Sequence, residues 1–193
     1  MKISDNLPII DFNSQQDWEA WLAEHHADSK GIWLKFAKKG TGVVSITYAE
    51  ALEGALCFGW IDGQKAGFDE QYWLQKFTPR RAKSIWSQIN CDKVTVLIAA
   101  GRIQPAGLRQ VELAQADGRW EAAYASQSKA TIPDDLQAAL DKNLQARDFF
   151  LTLNSVNRYA ILFRVQTAKK AETRAARIQK FVEMLAKGEK IYP

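Results

Sequence analysis

The sequence predicts an α+β fold that is mostly helical, with a small three-stranded antiparallel sheet in the N-terminal half and a helical C-terminal half. Three observations carry this expectation. Between residues 32 and 77 lie three short stretches rich in β-branched and aromatic residues, separated by glycine-containing breaks. From residue 84 onward the apolar residues recur at helical spacing instead. Gly101, Pro105, Gly107, Gly118 and Pro133 then cut that second region into helix-length pieces.

In chain order, Ser14 is a helix N-cap, followed by Trp18, Trp21, Leu22 and His25 at i, i+3, i+4 and i+7. That helix ends near Asp28. After Gly31, residues 32–38 read as a strand, broken by Lys39-Gly40-Thr41-Gly42. Thr47-Tyr48-Ala49-Glu50 is a capping box that opens a helix running to about Gly59. Asp62-Gly63 marks a turn, and residues 64–68 and 71–77 form a hairpin. Helices follow over 88–100, 105–116, 119–126, 134–152, 155–165 and 168–187. The polar stretch from Ser126 to Pro133 is the most linker-like, which divides the chain into an α+β region, 1–128, and a helical region, 129–193.

Composition excludes several classes of function. Of the 193 residues, 47% are hydrophobic and 25% charged, ordinary for a globular protein that needs neither disulfide nor metal to fold. No apolar run approaches the ~20 residues that span a bilayer. The opening Met1-Lys2-Ile3-Ser4-Asp5-Asn6-Leu7-Pro8 is polar where a signal peptide has an apolar core, so a cytoplasmic protein is expected. Cys57 and Cys91 read as buried free thiols of a reducing compartment. The two histidines, His25 and His26, are adjacent on one helix and cannot both face one site, so no metal is expected. No cofactor motif is present, neither a dinucleotide-binding nor a phosphate-binding glycine loop. The net charge of +4 is uneven: residues 129–193 hold 12 Lys/Arg against 7 Asp/Glu.

Two faces are chemically suggestive. On the helix from Thr47, Glu50, Glu53, Cys57 and Trp60 gather away from the core face, which places the Glu53 carboxylate beside an aromatic ring. Such a setting raises a pKa and suits a general acid or base, whereas pairing with a Lys or Arg makes Glu53 structural. The segment 77–90 is richer. It brings Arg80, Arg81 and Lys83 into the loop before a helix that begins after Ser84 or Ser87, and helix N-termini attract anions. Guanidinium groups grip carboxylates and phosphates with paired hydrogen bonds, and Trp86 offers a ring for stacking. The other arrangement left open is internal, with both arginines pinned by Asp62, Asp69 or Glu70. On the last helix, Ala171, Ala175, Ile178, Val182 and Leu185 form a core stripe, flanked by Lys170, Arg174 and Arg177. That flank either contacts nucleic-acid phosphates or covers the core edge with its aliphatic stems.

The order of several motifs resembles the YdeI/OmpD-associated, or bacteriocin-protection, family. The motifs are Glu53-x-x-x-Cys57-Phe58-Gly59-Trp60-Ile61-Asp62-Gly63, Phe77-Thr78-Pro79-Arg80-Arg81, Ser84-x-Trp86-Ser87-x-x-Asn90, Gly101-Arg102-Ile103-Gln104-Pro105-Ala106-Gly107 and Gly118-Arg119-Trp120. Ala168-Lys169-Lys170-x-Glu172-Thr173-Arg174 and Met184-Leu185-Ala186-x-Gly188 continue the match toward the end of the chain. This chain departs from such proteins at Ala82-Lys83, where Pro-Gly is typical, and at Ile103, where methionine is usual. The resemblance implies a part in resistance to bacteriocins or cationic peptides and supplies no reaction and no catalytic residues.

The expected function is therefore a non-enzymatic stress or bacteriocin-protection protein that binds a small anionic ligand near Glu53, Trp60, Asp62, Arg80, Arg81, Ser84, Trp86 and Asn90. In that expectation the arginines hold charge, Trp86 stacks, and Asp62 fixes an arginine. An enzyme on a small anionic metabolite, with Glu53 or Asp62 as general acid/base, is the second reading. A nucleic-acid-binding protein is the third.

Overall fold

The computed structural model describes residues 6–193; Met1 to Asp5, part of the opening on which the expectation of a cytoplasmic protein rests, lie outside the described residues. The fold is α+β, with eight α-helices and one sheet among the described residues. The elements are β1 (Ile9–Asp11), α1 (Gln15–His25), β2 (Ile32–Ala37), α2 (Tyr48–Cys57), β3 (Trp60–Gly67), β4 (Tyr72–Pro79), α3 (Gln88–Ala99), α4 (Pro105–Ala116), α5 (Asp134–Asp141), α6 (Leu144–Thr152), α7 (Ser155–Gln166) and α8 (Ala171–Ala186). The N-caps predicted at Ser14 and Thr47 form: the Ser14 side chain accepts from the Asp17 N–H, and Thr47 and Glu50 make the reciprocal capping box.

The sheet corrects the expectation of three antiparallel strands. It has four, in the order β1-β2-β4-β3, and β1 runs parallel to β2. Three residues are too few to display strand alternation, so β1 carried no readable period. Asp62-Gly63 is likewise not a turn. Both residues lie inside β3, at a bulge between Asp62 and Lys65, and the Gly63 carbonyl accepts from the Gln75 side chain at 2.8 Å. The chain reverses later, where the Asp69 carboxylate accepts from the N–H groups of Gln71 and Tyr72 at 2.8 and 2.7 Å.

Three helix expectations also change. No helix covers 119–126: Gly118, at φ +74°, follows the end of α4, and Tyr124 bridges Ser87 in an extended pairing. Residues 134–152 form two helices, because the Asn143 side chain accepts from the Ala146 N–H and caps a fresh start. In α8 the core stripe runs through Ile178, Phe181, Val182 and Leu185, while Ala171 and Ala175 are exposed.

The chain forms two compact units, one of residues up to 86 with 90–122 and the other of 87–89 with 123–193. In the first, Trp18 is fully buried, its indole N–H donates to the Ala51 carbonyl at 2.9 Å, and its ring packs against Phe12, Trp60 and Phe77. Helix α4 approaches the end of α2 so closely that a Cβ on Gly107 would lie 2.2 Å from the Cys57 carbonyl oxygen. In the second unit, Leu136, Leu140, Phe150, Ile161, Val165 and Leu185 form the centre of a helical core.

Gly107→Ala is expected to destabilise the first unit by at least about 2 kcal/mol, because the obstacle is backbone and cannot swing aside. Gly67→Ala, where an added Cβ meets nothing within 4 Å, should change the urea midpoint little. Denaturant unfolding of both variants checks the contrast.

Candidate functional site

Strand β4 ends at Pro79, but pairing continues for one residue, since the Arg80 N–H donates to the Gly59 carbonyl at 3.0 Å. Successive side chains of an extended chain alternate in direction, and Arg80 and Arg81 accordingly part. Arg80 is only 6% exposed. Its guanidinium carbon lies 3.5 Å from the Trp86 ring centroid, and Nη1 donates to the Ile85 carbonyl at 3.3 Å. Trp86 is itself buried, with its ring 5.0 Å from that of Trp120. Buried Arg119 adds a second fastening: Nε binds the Asp117 carboxylate at 2.7 Å and Nη1 donates to the Ser84 carbonyl at 2.9 Å. On the outer side, the Arg81 N–H donates to Ser84 Oγ at 3.1 Å and the Ser84 N–H donates back to the Arg81 carbonyl at 2.9 Å. Ala82-Lys83 thus sits in a closed turn, and Arg81 is exposed.

Beside this turn lies a cleft of about 380 Å³ lined by Leu7, Lys30, Lys76, Thr78, Pro79, Arg80 and Arg81. Lys76 and Thr78 alternate onto one face of β4, and Lys76 is the register partner of Trp33 on β2. Lys30 arrives through Gly31. A Cβ there would lie 2.7 Å from both the Phe77 carbonyl and the Thr78 methyl, and φ is +132°, so only glycine lets the chain enter β2 this close to β4. Four basic residues therefore line one cleft, with no carboxylate among its described lining residues. Such a wall favours an anion by field and by donor supply.

The structure brings Arg80, Arg81, Ser84 and Trp86 together and disperses other predicted site residues. Trp86 gives its face to Arg80. Trp60 is 1% exposed in the core, its indole donating to the His26 carbonyl at 3.1 Å. Asp62 accepts from the Tyr48 hydroxyl at 2.8 Å. Asn90 is buried on α3. Glu53 lines a different pocket, with Asp92, Lys93 and Arg102. There Arg102 donates to Glu53 at 3.0 Å and to Glu19 at 2.9 Å, while the Lys93 ammonium stands 3.8 Å from Glu53. Lys30, Lys76 and Asp117 gave no sequence signal, because strand register and a glycine approach assemble them. Arg119 and Trp120 stood in a quoted motif without a role.

Burial pushes both thiols up, Cys57 and Cys91 each to about 11. Among the described residues no group of three or more His, Cys, Asp or Glu is placed to hold a metal, and no helix is long and apolar enough to cross a membrane. The basic flank of α8 is largely engaged in its own unit. Arg174 pairs with Asp135 and donates to the Val165 carbonyl, and Arg177 donates to the Arg164 carbonyl.

Residues 10–110 match the family model described as Domain of unknown function (DUF8412). Residues 129–188 match the model described as Bacteriocin-protection, YdeI or OmpD-Associated. No curated protein and no solved structure matches the chain.

With pKa values of about 11, roughly one thiol in a thousand is ionised at pH 8, so Ellman's reagent should react with Cys57 and Cys91 in urea and hardly at all in the native protein. A second outcome concerns pH. Hydrogen bonds from Arg174 hold the Asp135 carboxyl below its ordinary value of 3.8. A depressed carboxylate pKa stabilises the fold above the unfolded value, and that contribution is lost as pH falls through the folded one. The stability advantage of the wild type over Asp135→Asn should therefore be present at pH 7 and vanish in urea titrations run well below pH 3.8.

Proposed function

The chain belongs to the DUF8412 family, and from that premise we propose that it is a non-enzymatic protection protein that holds a small anion in the cleft of Lys30, Lys76, Arg80 and Arg81. One observation carries the reading: four basic residues line the cleft, and none of its described lining residues is acidic. Arg81 and Lys30 meet the ligand from the rim, and Lys76 and the Thr78 hydroxyl from the strand. Arg80 contributes charge from below, where its stack on Trp86 fixes it. Ser84 serves by shaping the turn that carries Arg81.

Binding rather than turnover is supported by the carboxylates. Glu53 lies in another pocket between Arg102 and Lys93, and Asp62 is engaged by Tyr48. The protective role is supported by the bacteriocin-protection match over residues 129–188. Two buried free thiols suit a reducing compartment, in keeping with a cytoplasmic protein.

A panel of inorganic phosphate, phosphorylated metabolites and small carboxylates, read by melting temperature, tests the proposal. A true ligand at about a hundred times its Kd adds roughly 2.7 kcal/mol, or about 5–10 °C for a chain of this length. Arg81→Ala should abolish that shift while leaving the unliganded melting temperature nearly unchanged, since Arg81 is exposed. A panel with no effect, or one whose effect survives Arg81→Ala, overturns it.

A further inference from the structure

A second cleft in the first unit has a different chemistry. Residues 38–47, which join β2 to α2, border a hollow of about 430 Å³. One wall is aromatic. Phe36 and Trp73 are register partners on β2 and β4 and stack with centroids 4.7 Å apart and 19° between planes. The Tyr48 ring stands 6.3 Å from Trp73, and its hydroxyl donates to Asp62, which fixes its orientation. The facing wall is the run Lys38-Lys39-Gly40-Thr41-Gly42. Gly40 and Gly42 have φ of +90° and +72°, and a Cβ on either would meet nothing within 4 Å. Glycine is needed there for the left-handed backbone that curls the loop, not for want of room.

The loop presents both lysines at the edge of the aromatic wall. The Lys38 ammonium is anchored by donating to the Asp69 carbonyl at 2.8 Å, and an ammonium carries three donors. A third cation, Lys65, lies 4.1 Å from the Trp73 ring centroid. No carboxylate is among the described residues that line the hollow. Pockets of this size that combine aromatic surface with a few convergent polar groups take small organic ligands. Apolar surface beside ammonium groups complements a ring that carries a negative charge. A bare inorganic anion would leave the rings unused, and a neutral ring would leave the lysines unused.

We propose that this hollow is a second ligand site, specific for a small planar aromatic anion. Its body lies against the Tyr48 ring and the edge of Trp73, since Phe36 stacks on the Trp73 ring and Lys65 lies over it, and its charged group is held by Lys39 and Lys38. The site is separate from the basic cleft, whose described lining includes no aromatic residue.

The test titrates 1-naphthoate into the full chain and follows ¹H–¹⁵N spectra, with acetate and 1-naphthalenemethanol as controls for charge alone and ring alone. Saturable shifts are expected at the Trp73 indole and at the Gly40 and Gly42 amides, with either control at least about tenfold weaker. Lys39→Ala, in an exposed loop, should weaken naphthoate about tenfold, the loss typical of one charge-assisted hydrogen bond, and Lys39→Arg should restore it. Arg81→Ala should leave naphthoate binding intact, so this proposal and that for the basic cleft fail separately. Equal affinity for 1-naphthalenemethanol, saturable binding that leaves Trp73 and the loop unshifted, or no binding at millimolar naphthoate would each overturn the assignment.

Discussion

The stack of the Arg80 guanidinium on Trp86 is the contact on which the basic cleft depends. A buried cation is costly unless its surroundings answer the charge, and here a ring face 3.5 Å away and the Ile85 carbonyl do so. Because Arg80 is drawn inward, the next residue must point outward, and Arg81 reaches the rim of the cleft. Arg119 completes the arrangement by binding the Ser84 carbonyl, so the turn that carries Arg81 is held from beneath at two points. One arginine is thus spent on architecture so that its neighbour is available to solvent.

The rest of the first unit places the sheet that this turn leaves. Trp18 locks α1 to α2 through the Ala51 carbonyl, and a Cβ on Gly54 would lie 2.8 Å from the Trp18 ring, so the helix can pass this close only with glycine there. Beyond α2, Gly107 admits α4 against the Cys57 carbonyl. Arg102 then draws Glu53 and Glu19 together, with burial opposing its charge and the two carboxylate bonds outweighing it to hold its pKa above the ordinary value. On this face the sequence left Glu53 open between acid–base chemistry and pairing with a basic residue, and the structure pairs it with Arg102 and Lys93. The carboxylate and thiol of this face are, respectively, paired and protonated.

Local chemistry was readable in the sequence where it needed only neighbours. Ser14 and Thr47 announced their helices because caps are made within four residues, and the Thr47–Glu50 box formed as expected. The hairpin aromatics Tyr72, Trp73 and Phe77 were placed in a strand. Asp62-Gly63 misled because an Asp-Gly pair suits a turn and, equally, a bulge, and the side chain of Gln75, twelve residues beyond Gly63, decides between them only once β3 and β4 are paired. Asn143 looked like an interior helix residue until its side chain turned back to cap Ala146. The cleft was half legible: Arg80 and Arg81 stood out, yet strand alternation across the Pro79 end already implied that they part. Lys30 and Lys76 were invisible, being forty-six residues apart and joined only by the β2–β4 register and the Gly31 approach.

Amide ¹H–¹⁵N spectra recorded during titration with inorganic phosphate address the central claim most directly, because they report where an anion sits as well as whether it binds. An anion held in the basic cleft gives saturable shifts concentrated at Lys30, Gly31, Lys76, Thr78 and Arg81, on both sides of the cleft. Shifts that grow without saturation and spread over the lysines and arginines of the whole surface would contradict that claim.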